Sequence, residues 1–236
     1  MDTRIDRIPA HDGGFDADIW LPEAGRGPGI LLIQEIWGVG PFITKVAEDL
    51  ASLGYVVAAP DLFWRLQRHF QAAHDKDGLQ EAMRMAQRFD FSQGVADCAC
   101  TLSNLRAMPE VSGRVGVVGF CLGGSLAYKL AASASVDTVL SFYGSAVPDA
   151  KSLMSSIDAP TLLVFGGKDP HIPRERIAAV EAAAQSYPNI EVYVDERAGH
   201  AFLNHEAPDF YHPEAAADAW RVSLDFLSTH LPTRRG

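Results

Sequence analysis

Val115-Gly116-Val117-Val118-Gly119-Phe120-Cys121-Leu122-Gly123-Gly124 is the most informative run of this 236-residue chain. Its first four residues read as a buried strand, and beyond Cys121 apolar residues return at 122, 126, 127 and 130, the spacing of a helix. A strand that becomes a helix within five residues must turn so tightly that the positions two before and two after the apex are small, and Gly119 and Gly123 occupy both. The geometry predicted is a nucleophile elbow with cysteine at its apex. It would lift the sulfur above the sheet at a helix N-terminus, where unpaired N–H groups favour a thiolate and the Leu122 N–H can face a developing oxyanion.

Outward from the elbow, further apolar runs at 30–33, 55–59, 136–142, 161–165 and 190–194 alternate with helical periodicity at 42–53, 93–106, 174–186 and 213–230. Buried strands joined by helical crossovers make a mostly parallel α/β sheet flanked by helices. Phe15 to Leu21 alternates like a half-exposed strand near the sheet edge. With no linker or repeat, residues 1–236 are expected to form one domain. The stretch 63–90 is an irregular excursion over the carboxyl end of the sheet, placed to cover a pocket.

A formal net charge of −10 and the absence of a basic cluster exclude a nucleic-acid partner and disfavour anionic membranes. No segment approaches the apolar length of a membrane span, and the N-terminus lacks a secretory core, so a cytoplasmic protein is expected. Three cysteines cannot all pair, which suits a reducing compartment. His171 and His205 have no Cys or carboxylate at ligand spacing, so neither a metal nor another cofactor is called for.

An elbow nucleophile in this type of fold is followed along the chain by its acid and then its histidine. Asp169, in Gly166-Gly167-Lys168-Asp169-Pro170, comes just past a strand's carboxyl end, and His200, in Ala198-Gly199-His200-Ala201-Phe202, follows the last strand. The order Cys121, Asp169, His200 is that of a catalytic triad.

With these residues in place, the chain resembles the dienelactone hydrolase family of α/β-hydrolases over nearly its whole length. The marks are Gln34-Glu35-Ile36-Trp37-Gly38, Pro60-Asp61-Leu62, the cysteine elbow, Phe142-Tyr143-Gly144, Gly167-Lys168-Asp169 and Ala198-Gly199-His200. The resemblance implies an α/β-hydrolase fold with about eight strands, a monomer, and hydrolysis of small-molecule ester or lactone substrates through a thioester. It also implies that Cys121 is the nucleophile, His200 the base, Asp169 its orienting acid and Glu35 an auxiliary carboxylate. In relatives that carboxylate lies beside the resting thiol and moves when substrate binds. The N–H groups of Ile36 and Leu122 would hold the oxyanion.

The chain departs from the family at its substrate clamp. Of the two arginines that hold the substrate carboxylate in relatives, one corresponds to Leu79 and the other, four residues past the histidine, to Asn204; a tyrosine usual nearby corresponds to Met83. Arg65, Arg84 and Arg88 are the residues available to compensate. The expected pocket walls are Trp37, Met83, Tyr143 and Phe202, with Asn204 as a neutral hydrogen-bonding group. This favours a less acidic, bulkier ester or lactone. Alternatives are a general carboxylesterase or thioesterase on uncharged substrates, and a non-catalytic redox-sensing or binding protein using Cys121.

Overall fold

The computed structural model describes residues 2–233. One eight-stranded sheet organises them, in the spatial order β1-β2-β4-β3-β5-β6-β7-β8. The strands are β1 (Asp2–Ala10), β2 (Gly13–Leu21), β3 (Gly27–Ile33), β4 (Val56–Pro60), β5 (Val111–Phe120), β6 (Thr138–Phe142), β7 (Thr161–Gly166) and β8 (Ile190–Asp195). From β4 to β8 in this order all neighbours are parallel, whereas β2 runs antiparallel to both β1 and β4. Helices α1 (Pro41–Ser52), α2 (Lys76–Arg88), α3 (Phe91–Ala107), α4 (Leu122–Ala131), α5 (Arg174–Ala184) and α6 (Pro213–His230) supply the crossovers and flanks.

Burial explains why the inner strands are uniformly apolar. Every residue of β3, β4, β6 and β7 is buried, because helices cover both faces of a parallel sheet. Phe15–Leu21 lies within the second strand, next to the sheet edge as its alternation suggests, and the edge itself is β1, unread in the sequence, which pairs along its whole length with β2. Only Ile8 of β1 is buried, so its alternation carries almost no hydrophobic signal. Its charged, mostly exposed residues suit an edge that must not pair with another chain.

Two features of the sheet set up the site. The chain goes from β3 to β4 on one side and then returns across β3 to β5, so the loops after β3 and β5 part at a topological switch point, where crevices form. Pairing of Ile33 with Gly119 then sets Gln34-Glu35-Ile36 beside Phe120-Cys121-Leu122. Pairing of Gly166 with Asp195 likewise aligns the loops that carry Asp169 and His200. Among the described residues, no helix is long and apolar enough to cross a membrane.

Candidate active site

Cys121 sits between β5 and α4 with φ 54° and ψ −110°, a strained conformation for a residue with a side chain. The flanking glycines have steric reasons. A Cβ on Gly119 would lie 2.1 Å from the Gly123 carbonyl oxygen, and one on Gly123 would lie 2.3 Å from that of Ile33. The Cys121 N–H donates to the Phe142 carbonyl at 3.0 Å, which ties the elbow to β6.

The three residues expected from chain order meet at one place. His200 Nε2 is 3.1 Å from Cys121 Sγ, and its Nδ1 is 2.7 Å from Asp169 Oδ2. The other Asp169 oxygen accepts from the N–H groups of His171 and Ile172, so the carboxylate is oriented on both sides. Burial alone would pull the His200 pKa down, but the Cys121 sulfur and Asp169 outweigh it and raise the imidazole to about 10. A protonated imidazole facing the Cys121 sulfur is the state this environment favours.

Ile36 and Leu122 border the same cavity as Cys121, and among the described residues neither backbone N–H has a hydrogen-bond partner. Both donors are free for a ligand oxygen. The cavity, of about 240 Å³, is walled by Trp37, Leu79, Met83, Ala86, Phe91 and Phe210. Leu79, Met83 and Ala86 recur at helical spacing on α2, so the excursion over 63–90 does form one wall of the site. It is pinned to the loop after β3, where Ala72 N–H donates to the Trp37 carbonyl and Gln71 Nε2 to that of Val39.

Trp37 and Met83 stand where the sequence suggested, but three other expected wall residues do not. Tyr143, Phe202 and Asn204 are fully buried behind the site. The Tyr143 hydroxyl donates to Glu35 Oε1 at 3.0 Å and Asn204 Nδ2 to Glu35 Oε2 at 2.6 Å, while Phe202 packs edge-on against Tyr143. They are polar and aromatic residues of the kind that line pockets, but the need of a buried carboxyl for donors draws Tyr143 and Asn204 inward, and Phe202 fills the space against Tyr143. Glu35 itself is 1% exposed, and burial pushes its carboxyl up to about 7 despite the bonds from Asn204 and Tyr143. It makes no hydrogen bond to the thiol among the described residues; the sulfur is partnered by His200.

Among the described residues no arginine lines the cavity. Arg65 is held by Asp12 and Asp97, and Arg84 and Arg88 are exposed away from the cavity wall. Phe91, Phe210, Ser145 and Ala86 were not foreseen as lining residues. Only Ala86 had a signal, its helical spacing from Leu79 and Met83. His171 does reach the cavity, with its ring edge-on to His200 at 5.0 Å.

Known proteins resemble this chain in sequence and in fold. Residues 15–231 match the model of the dienelactone hydrolase family. A carboxymethylenebutenolidase of Pseudomonas sp. is 33% identical over 227 residues, covering 95% of this chain and 94% of that protein. Carboxymethylenebutenolidase 1 of Cupriavidus pinatubonensis is 32% identical over 205 residues, covering 86% and 87%. Among solved structures, a dienelactone hydrolase-like promiscuous phosphotriesterase from metagenomic libraries shares the fold, with a TM-score of 0.82 at 23% identity and 98% coverage of both chains. This chain therefore belongs to the dienelactone hydrolase family.

Proposed function

We propose that this member of a family of ester and lactone hydrolases works through a Cys121, His200, Asp169 triad on a small substrate that carries little or no charge. The observation that carries the reading is the continuous contact from Cys121 Sγ through His200 to Asp169 beside an apolar cavity.

In the proposed cycle the Cys121 thiolate attacks the substrate carbonyl carbon, and the N–H groups of Ile36 and Leu122 stabilise the oxyanion. The carbon–oxygen bond to the leaving group breaks, and the His200 imidazolium gives that oxygen its proton. A thioester remains on Cys121. His200, now neutral, takes a proton from water as it attacks the thioester, and the thiolate departs with the carboxylic acid as product. Asp169 holds the imidazole in the required tautomer throughout. Glu35 is assigned no proton transfer in this cycle.

Leu79, Met83 and the engaged Arg65 support the choice of a neutral substrate, since the cavity wall offers no guanidinium to a carboxylate. One shared sheet and core support a single domain. The unpaired Cys98, Cys100 and Cys121 suit a reducing, cytoplasmic setting, and the family resemblance supports a monomer. Steady-state hydrolysis of p-nitrophenyl acetate and butyrate beside a carboxylated dienelactone, with wild type and Cys121→Ala, tests the reading. Cys121-dependent turnover that favours the neutral esters is expected. Turnover retained in Cys121→Ala would overturn the triad, and efficient dienelactone hydrolysis would overturn the neutral substrate.

A further inference from the structure

The side chains behind the triad form a closed polar unit in an otherwise apolar region. Glu35, Tyr143 and Asn204 are all buried, and each carboxyl oxygen of Glu35 has its own donor, Oε1 from the Tyr143 hydroxyl at 3.0 Å and Oε2 from Asn204 Nδ2 at 2.6 Å. The amide of Asn204 is itself oriented, because its Oδ1 accepts from the Glu206 N–H at 3.0 Å. Both donors are uncharged. The loop that carries Glu35 nonetheless runs beside the loop that carries Cys121, since Ile33 pairs with Gly119, and the Tyr143 ring that binds Glu35 packs 5.2 Å from that of His200. A free carboxylate in the loop beside the thiol would compete with His200 for its proton unless it were engaged elsewhere.

We propose that Asn204 is a positioning residue which, together with Tyr143, holds Glu35 in an uncharged clamp, so that Cys121 is committed to His200 before any substrate arrives. This rests on the reading of Cys121 and His200 as nucleophile and base. An arginine next to Glu35 would form an ion pair that an incoming substrate carboxylate could compete for, making release of the glutamate depend on substrate charge. A carboxamide offers a carboxylate ligand no such exchange. Activation of the thiol is thereby independent of charge on the substrate, which fits a cavity walled by Leu79, Met83 and Phe91.

Alkylation of Cys121 by iodoacetamide at neutral pH, followed by mass spectrometry, reads thiol reactivity directly. Asn204→Asp keeps the side-chain shape and the acceptor for Glu206 but replaces the donor to Glu35 with a second carboxyl. Alkylation is expected to slow by about 10-fold, the equivalent of roughly one pKa unit on the thiol. The exchanged pair Glu35→Gln with Asn204→Asp restores one amide facing one carboxyl and should recover most of the wild-type rate. A purely structural role for Asn204 would give no such recovery. Wild-type alkylation rates in Asn204→Asp, or failure of the exchanged pair to recover, would overturn the proposal.

A measurement on the wild type alone does not depend on the variants folding. Phenylacetate should leave Cys121 alkylation unchanged or slow it by occupying the cavity, and acceleration would mean that a ligand carboxylate does release Glu35, contrary to the proposal. Because alkylation reports on the thiol and not on turnover, these outcomes are independent of the ester assay. Retained turnover in Cys121→Ala would reject the triad while leaving the clamp to be judged by alkylation.

Discussion

The Nε2 atom of His200 lies 3.1 Å from the Cys121 sulfur, bringing together residues from two loops that are 79 positions apart in the chain. That contact gives the imidazole its proton affinity. With the Cys121 sulfur and Asp169 beside it, His200 holds its proton up to about pH 10, so this contribution is complete below the ordinary histidine value near 6.5 and is lost as pH rises through 10. In an NMR titration, His200 of the wild type should therefore change state near 10, and in Cys121→Ala it should fall by at least about one unit. Equal values in the two proteins would show that the Cys121 sulfur does not raise the ring's proton affinity.

Backbone strain at the elbow leads to a separation of activity from stability. Cys121 holds φ 54° and ψ −110°, and conformations of this kind cost a side-chain-bearing residue on the order of 1–3 kcal/mol. Cys121→Gly relieves that strain at an entropic cost of roughly 0.5–1 kcal/mol, which offsets part of the loss of the sulfur–His200 contact, so its Tm should stay within a few degrees of the wild type. Ester turnover should drop by at least about a thousandfold, as for loss of other covalent nucleophiles. Thermal melts and p-nitrophenyl acetate assays measure the two effects, and a Tm loss of more than a few degrees would argue against strain at this position.

Glu35 should give stability a pH dependence of unusual sign. Burial raises its carboxyl from the ordinary 4.5 to about 7, so between those values the folded protein holds a proton that the unfolded chain has released. This contribution is fully present below about 4.5 and is lost as pH rises through 7, by about 3 kcal/mol in total. Glu35→Gln cannot titrate, so urea unfolding should show the wild-type advantage over the variant shrinking by that order across this range. A difference that stays constant with pH would contradict the buried, proton-binding carboxyl.

Leu79 occupies the cavity wall at the position where relatives are expected to carry an arginine. Leu79→Arg should raise kcat/KM for a carboxylated lactone relative to a neutral ester by about 10-fold, in line with one charge-assisted hydrogen bond of about 1.5 kcal/mol. Competition kinetics with the two substrates measure the ratio directly, and an unchanged ratio would mean that the acyl group does not approach α2. Asn204 is a poorer place for the same change because a guanidinium there would be buried against Glu35.

Much of the fold was legible in local pattern. The runs at 30–33, 115–118 and 161–165 are buried on both faces and so uniformly apolar, and the helices at 42–53 and 213–230 have faces whose spacing marks them. The edge strand β1 was not legible, since an exposed strand held by its partner's backbone needs no apolar alternation. At the site, the elbow could be read because a tight strand-to-helix turn leaves room only for glycine on either side of Cys121, and chain order then singled out Asp169 and His200.

What the sequence by itself determined is therefore whatever short-range sterics and periodicity demand: the α/β alternation, the apex at Cys121 and the loops that carry its partners. Only the tertiary structure decided which way the polar side chains near that apex face. Tyr143, Phe202 and Asn204 have the composition of a pocket lining, yet Tyr143 and Asn204 turn inward because Glu35 is buried and its oxygens require donors, and Phe202 packs behind them on Tyr143. Satisfying a buried carboxyl depends on contacts between residues over a hundred positions apart, such as Glu35 and Tyr143, and no local spacing encodes them. The same long-range packing turned Leu79, Met83 and Ala86 of α2 toward the thiol and left Arg65 engaged with Asp97, fixing the apolar character of the cavity.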